Sequence, residues 1–299
     1  MKRQGRGQSF KAKAVGDFVK RIFAHGEVIS IHRGAVNILG GSGLLLSIVA
    51  DFSSMTGLSL YLPAMFQNEL LRKRQGEEGI VAGLKVRRRG NKLYLADMVI
   101  SLDFRKTWNG RLSLADVAGF TEQNIDDLEK ALLASEIEAG LIALHRSGLE
   151  GDHFVRKARK ILAGLSLTGK PPLITGLSRL VGLGIGLTPS GDDFIAGALL
   201  GERIRQLLGN TDHKNFPFPA IEKAEISGAL SKTAYSGRTL LWLALQGSFP
   251  HYLINAARAL AAAAGLADIK LAVRSAALHG ATSGSDALAG LLWYLRQVH

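Results

Sequence analysis

The pattern of apolar residues changes between about residues 110 and 120, and this change constrains the fold more than any other feature of the chain. Before it, short runs rich in β-branched and aromatic residues alternate with glycines, which is typical of strands in a small barrel or sandwich. After it, apolar residues recur at helical spacing in long alanine-rich segments. The sequence therefore predicts an α+β fold, with an N-terminal antiparallel β barrel or sandwich (25–115) and a larger, all-helical C-terminal domain (116–299).

The individual elements follow from the same two patterns. Strands are predicted at residues 28–32, 35–39, 44–49, 58–62, 84–89, 92–95 and 98–102, with a hairpin turn at Gly90-Asn91. Helices are predicted at residues 121–147, 152–165, 193–208, 220–234, 239–245, 251–264, 268–278 and 285–297. The stretch 209–219, which contains two prolines, is predicted to be an exposed loop between helices.

Charge limits the kind of partner. The chain has 37 Lys and Arg against 25 Asp and Glu, a net charge of +12, which favours an anionic partner. Most of the excess lies in a basic N-terminal arm (1–24) and around the predicted hairpin (87–92). Because no RNA-binding, zinc-finger or helix-turn-helix signature accompanies these charges, nucleic acid is disfavoured and a small phosphorylated or carboxylated substrate is preferred.

Composition excludes several other classes of protein. The absence of cysteine excludes disulfides and cysteine-ligated zinc, and it fits a cytoplasmic location. The longest uncharged stretch, 239–257, contains Pro250 and Asn255, so we expect no membrane-spanning helix there. The histidines lack the spacings of zinc hydrolases.

A glycine-rich segment, Gly182-Leu-Gly-Ile-Gly-Leu-Thr-Pro-Ser-Gly-Asp-Asp193, carries the strongest functional signal. Alternate glycines let the backbone approach a ligand, and the helix that follows would present its N-terminus to an anion. Asp192 and Asp193 stand where a phosphate-binding P-loop has Lys and Ser or Thr, so they would instead hold Mg²⁺ or an amide or carbamoyl group. The alternative is a helix cap without a ligand. Candidate substrate-binding residues are Gly184, Gly186, Thr188, Ser190 and Gly191, and Asp192 and Asp193 are candidate catalytic residues.

The same pattern recurs near the C-terminus. Ser-Gly-x-Asp-x-[Ile/Leu]-Ala-Gly describes both 190–197 and 283–290, so two similar loop-to-helix junctions are predicted. They would offer two helix N-termini to one ligand across a cleft, or they are two similar helix caps. Candidate substrate-binding residues here are Thr282, Ser283, Gly284 and Asp286, and His279 is a candidate catalytic residue.

A third, weaker signal is the hydroxyl-rich turn 231–238, which also carries two cations. Thr233 and Ser236 are candidate substrate-binding residues in this turn. A simple junction between two helices explains it equally well.

Together these motifs resemble a bacterial family of domains of unknown function that includes the AllH-like subunit of oxamate carbamoyltransferase. The resemblance rests on Gly184–Asp193, on His279-Gly-x-Thr-Ser-Gly-x-Asp286 and on Lys232-Thr233-x-x-Ser236. It extends to Gly26-Glu-Val-Ile-Ser30 and to Asn37, which it marks as a further substrate-binding candidate. Position 185 is Ile where many relatives are expected to have Pro.

The resemblance implies a subunit of a carbamoyltransferase-like enzyme in purine or ureide nitrogen catabolism. Such an enzyme interconverts oxalurate plus phosphate with oxamate plus carbamoyl phosphate. It implies other enzyme subunits or further copies of the chain as partners. Two alternatives stay open, a non-catalytic scaffold or regulatory subunit and an Mg²⁺-dependent phosphotransferase. The sequence specifies no cofactor with certainty, and Mg²⁺, held by Asp192 and Asp193, is the one candidate.

Overall fold

The computed structural model describes residues 8–66, 80–135, 137, 139–146, 148, 151–168, 173–209, 221, 223–262 and 266–298. The predicted loop 209–219 and the first basic residues of the arm lie outside these ranges, Gly209 excepted. The chain divides into two compact units, residues 1–109 and 110–299. In the described residues no helix is long and apolar enough to cross a membrane.

The first unit is a curled ten-stranded sheet that forms a half-barrel. Its strands lie in the order β1-β9-β8-β7-β3-β4-β5-β6-β2-β10. Two single-turn helices, α1 (Val19–Ile22) and α2 (Pro63–Phe66), flank it. The strands are β1 (Ser9–Lys11), β2 (Ala14–Gly16), β3 (His25–Ile31), β4 (Ala35–Gly40), β5 (Leu45–Val49), β6 (Ser59–Tyr61), β7 (Lys85–Arg89), β8 (Lys92–Leu95), β9 (Met98–Ser101) and β10 (Thr107–Trp108).

The predicted antiparallel arrangement is only partly right. Strands β3, β4 and β5 pair antiparallel, as do β3, β7, β8 and β9. Strands β5 and β6 pair parallel, because the connection between them crosses through a short 3-10 helix (Phe52–Ser54) instead of a tight hairpin. The pairs β1–β9 and β2–β10 are also parallel.

Part of the predicted basic arm lies within this sheet. Strands β1 and β2 come from residues 9–16, where Ala12 and Val15 are buried while Lys11 and Lys13 face solvent. This alternation is that of a strand with one buried face. The apolar residues of the segment therefore decide its structure, and its lysines lie on the exposed face.

The second unit is helical apart from one small sheet, so the prediction of an all-helical domain is not fully right. The antiparallel pair β11 (Ser166–Thr168) and β12 (Leu173–Thr175) was not predicted. The predicted helix 121–147 ends at Leu133 and is followed by a 3-10 helix (Leu141–His145); Gly140, with a φ of 86°, does not allow one continuous helix across this stretch. The helices are α3 (Leu114–Val117), α4 (Glu122–Leu133), α5 (His153–Ala163), α6 (Ser190–Leu208), α7 (Lys223–Ala229), α8 (Tyr235–Leu245), α9 (His251–Ala261), α10 (Leu266–Ala277) and α11 (Ser283–Val298).

Helices α6 and α11 form the centre of this unit and run side by side in the same direction. Gly290 of α11 lies against Phe194 of α6, and Gly201, further along α6, lies against Tyr294. A methyl group at Gly197 would lie 1.7 Å from the carbonyl oxygen of Ala287, and one at Gly290 would lie 1.9 Å from that of Phe194. The backbones therefore touch, and both helices begin at the same end of the unit.

Candidate functional site

The glycine-rich segment forms an exposed loop, loop 1 (182–189), which leads into α6. Gly182, Gly184 and Gly186 have φ angles of 76°, 121° and 101°, a region that favours glycine. The tip is open to solvent, since Ile185 is 79% exposed and nothing lies within 4 Å of the position that a Cβ of Gly186 would take. The glycines thus serve the shape of a surface loop.

Loop 1 presents a run of free backbone donors. Within the described part of the chain, the N–H groups of 184–188 and of Ser190 have no acceptor. The next amides along α6 are used, because Gly191 donates to the carbonyl of Leu183 at 2.7 Å and Asp192 to that of Pro189 at 2.8 Å. The donors available to a ligand therefore come from the loop and the first residue of the helix, and not from the whole first turn.

A second loop, loop 2 (278–282), leads into α11 in a similar way. Gly280 has a φ of 69°, and Gly280 and Ala281 are exposed. Over the ranges that the structure covers, the N–H groups of residues 280–283 have no acceptor, whereas Gly284 donates to the carbonyl of His279 at 3.0 Å. Loop 2 is thus a shorter run of free donors.

The structure brings the two loops together. The hydroxyl of Thr188 in loop 1 lies 2.9 Å from the hydroxyl of Ser283, the first residue of α11. The contact follows from the parallel packing of α6 and α11, which sets the two loops next to each other.

Asp193 and Asp286 are buried beneath this junction, 1% and 0% exposed. Asp193 accepts hydrogen bonds from Thr188 and Ser283. Asp286 accepts from Ser190 and Thr282, and also from the backbone N–H of Leu141. Each carboxylate is therefore bonded to one hydroxyl from each junction, and we call the two the acid pair.

The acid pair retains hydrogen-bonding capacity. The Oδ2 atoms of Asp193 and of Asp286 are buried and have no partner among the described residues. Burial, and secondarily the charge of Asp286, raises the pKa of Asp193 well above its ordinary value. Burial also raises the pKa of Asp286 to about 6. Two buried carboxylates whose charges repel each other favour a state in which the pair holds one proton.

Asp192 makes different hydrogen bonds from Asp193. Its Oδ1 accepts from the backbone N–H of Gly182 at 2.9 Å, and its Oδ2 accepts from the hydroxyl of Thr233. Gly237, in the first turn of α8, has no Cβ that would collide with this carboxylate. Burial raises the pKa of Asp192 to about 6. Asp192 therefore ties the start of loop 1 to the start of α8.

This arrangement does not fit the predicted magnesium site. Consecutive residues on a helix point about 100° apart, so Asp192 and Asp193 face different neighbours and do not converge on one ion. Both oxygens of Asp192 already accept hydrogen bonds. In the ranges described, no group of three or more His, Asp or Glu residues is placed to hold a metal.

His279 lies at the start of loop 2, partly exposed, and its ring stacks on Tyr252 with 4.1 Å between the ring centroids. Burial raises the pKa of Tyr252 well above its ordinary value, and the charges of Asp193 and Asp286 raise it further. Tyr252 therefore stacks on His279 and lies within electrostatic range of the acid pair. Sequence reasoning missed it, because it stands in the ordinary amphipathic pattern of α9.

The remaining candidates do not belong to the two loops or to the acid pair. Asn37 belongs to the first unit, where its amide donates to Ser30 at 3.0 Å and accepts from Ser47 at 2.8 Å across neighbouring strands. Ser236 lies in the first turn of α8 and is partly exposed. A role in substrate binding for either residue stays a prediction.

Comparison with known proteins gives one match. Neither the curated proteins nor the solved structures compared with the chain are similar to it. A family model does match, over a segment that contains loop 1, loop 2 and the whole acid pair. The resemblance predicted from the motifs is confirmed over that segment: residues 180–295 match the family described as oxamate carbamoyltransferase subunit AllH.

Proposed function

We propose that this chain is a subunit of a carbamoyltransferase-type enzyme that acts on oxalurate, oxamate and carbamoyl phosphate. One observation carries the proposal: the match to the oxamate carbamoyltransferase subunit family covers both loops, whose free amides meet at the Thr188–Ser283 contact. Backbone N–H groups without acceptors at the start of a helix are suited to phosphate and carboxylate groups. In this proposal the two junctions bind a small anionic substrate.

The reaction needs the features that this junction offers. A phosphate oxygen attacks the carbamoyl carbon of oxalurate, the bond from that carbon to the oxamate nitrogen breaks, and the nitrogen gains the proton that phosphate loses. Loop amides can hold the anionic groups in line and stabilise the oxyanion that develops on the carbamoyl oxygen. The ligand-binding candidates at the junction are Gly184, Gly186, Thr188, Ser190, Thr282 and Ser283.

The acid pair is the candidate for moving the proton. It lies one hydroxyl away from each loop, through Thr188 and Ser283, and it favours a state with one proton. It can therefore take up the proton that phosphate loses and return one to the oxamate nitrogen. His279 is the second candidate, because it is the partly exposed titratable residue of loop 2. Asp192 acts as a positioning residue that holds loop 1.

A scaffold role is the second candidate function, and the helix packing favours it. The glycines at 191, 197, 284 and 290 all allow close backbone contacts, so part of the repeated motif is explained by packing alone. In that case another subunit would carry the chemistry, and the free amides would have no ligand.

Isothermal titration calorimetry tests the proposal. Phosphate, oxamate and carbamoyl phosphate are titrated into the chain, alone and with its partner subunits, and we expect binding that Gly184→Ala weakens. A methyl group at Gly184 would lie 2.7 Å from the amide nitrogen of Ser190. Gly228→Ala is the matched control, since nothing lies within 4 Å of a methyl group there. No binding of any ligand to either preparation would refute ligand binding, and unchanged activity of the assembled Asp193→Asn enzyme would favour the scaffold.

A further inference from the structure

We infer that loop 1 and loop 2 are two separate subsites filled at the same time, phosphate in loop 1 and the carboxylate of an amide or ureido compound in loop 2. This inference rests on the proposed function. It goes further, because it divides the junction between two ligands of different chemistry and predicts that both bind together.

The two runs of free donors differ in length. Loop 1 offers the consecutive amides of residues 184–188 together with that of Ser190, whereas loop 2 offers those of residues 280–283. The longer run, shaped by Gly184 and Gly186, suits the four oxygens of a phosphate. The shorter run, next to the partly exposed His279, suits the two oxygens of a carboxylate.

The two loops are packed in equivalent ways, and they are not two halves of one binding loop. Each loop feeds its own helix, and each helix has a glycine in its first turn whose missing Cβ lets it approach a carbonyl of the preceding segment. A methyl group would lie 2.0 Å from the Leu180 oxygen at Gly191 and 1.8 Å from the Ala276 oxygen at Gly284. Each loop therefore has packing support of its own, and the two share the Thr188–Ser283 contact and the acid pair.

The acid pair favours a ligand that brings a hydrogen-bond donor between the two subsites. Asp193 and Asp286 sit under both loops, and each keeps one buried oxygen without a donor. Such an oxygen is costly until a hydrogen-bond donor reaches it, directly or through a hydroxyl. An amide beside the carboxylate supplies N–H groups there, whereas a dicarboxylate brings only a second negative charge. The junction should therefore prefer oxamate to oxalate.

Calorimetry on the full chain tests this without any variant. Phosphate and oxamate are titrated separately, and oxamate is then titrated into protein saturated with phosphate. We expect oxamate to bind with unchanged or higher affinity when phosphate is present, and oxalate to bind at least about tenfold more weakly than oxamate. Mutual displacement of phosphate and oxamate would overturn the two-subsite inference, and equal binding of oxalate would overturn the role given to the acid pair.

Two glycine variants test which loop binds phosphate and which binds oxamate. Gly184→Ala should weaken phosphate binding about tenfold and leave oxamate binding within threefold of the wild type, and Gly280→Ala should do the reverse. Gly228→Ala should change neither, and circular dichroism confirms that each variant is folded. If either loop variant lost both ligands, the subsites would not be separate. If the wild type bound neither ligand, alone or with its partner subunits, the proposed function would fall as well, whereas displacement alone leaves that function standing.

Discussion

Replacing Gly197 by Ala is the most direct test of how α6 and α11 pack. The new methyl group would lie 1.7 Å from the carbonyl oxygen of Ala287, against an ordinary contact of at least 3.4 Å. That oxygen belongs to a helix backbone, so it cannot rotate away as a side chain would. The helices must separate locally by up to the difference, 3.4 minus 1.7, or 1.7 Å.

The cost follows from the burial of both helices. Gly197 and Ala287 are fully surrounded by protein, so separating the helices opens a gap along the core of the second unit. Overpacking of this kind costs about 3 kcal/mol at the upper end of its usual range. For a unit that spans residues 110–299, this corresponds to a fall in melting temperature of about 6–12 °C.

Thermal and urea denaturation, followed by circular dichroism, measure the effect. Gly228→Ala is the control: it places a methyl group in open space on helix α7, where Ala is the better helix former, so it should raise the free energy of unfolding by up to about 1 kcal/mol. A cooperative Gly197→Ala protein that unfolds within 1 kcal/mol of the wild type would refute the close parallel packing described above.

Three further predictions concern the buried polar groups of the second unit. Burial raises the pKa values of Asp192 and Asp286 to about 6, so the stability that they contribute is present below pH 3.8 and is lost as the pH rises through 6. Urea denaturation between pH 4 and 7 should therefore show a free energy of unfolding that falls with pH. The Asp286→Asn variant should show a smaller fall. A free energy that rises at pH 6 equally in both proteins would contradict this assignment. Thr233→Val removes the hydroxyl that donates to Asp192 and should lower the free energy of unfolding by about 1–3 kcal/mol at pH 7, and no change would show that Asp192 does not depend on it. Tyr294→Phe removes one of several donors to the fully buried Glu202 and should cost only about 1 kcal/mol, since the ion pair with Arg205 remains; a loss above 3 kcal/mol would mean that the phenol is its essential partner.

Much of the first unit could be predicted from the sequence because its strands show a clear alternation. Strands β3 to β9 lie within a few residues of their predicted positions, and the hairpin turns at Gly90 as expected. Strands β1 and β2 were missed because their lysines dominate the composition, while burial of Ala12 and Val15 decides their structure. The parallel pairing of β5 with β6 depends on a crossover that no local pattern reveals.

The candidate site could be predicted in its parts but not in its assembly. The repeated Ser-Gly-x-Asp pattern identified two similar junctions, and the structure places them in contact at Thr188 and Ser283. The pattern could not reveal which neighbours Asp192 and Asp193 face, because that depends on where α8 and α11 pack. Leu141 donates to Asp286, and Tyr252 lies within electrostatic range of the acid pair, only because of the tertiary structure, so no sequence signal marked either residue.

The pairing of α6 with α11 also sets an order for folding during synthesis. Nearly every residue of α6 is buried in the finished unit, yet its main partner begins only at Ser283, long after α6 ends at Leu208. Until α11 leaves the ribosome, α6 must expose a largely apolar surface or be covered by another protein. Folding of this unit therefore depends on contacts between distant parts of the chain, so we expect it to fold slowly for a helical protein and only after α11 has been made.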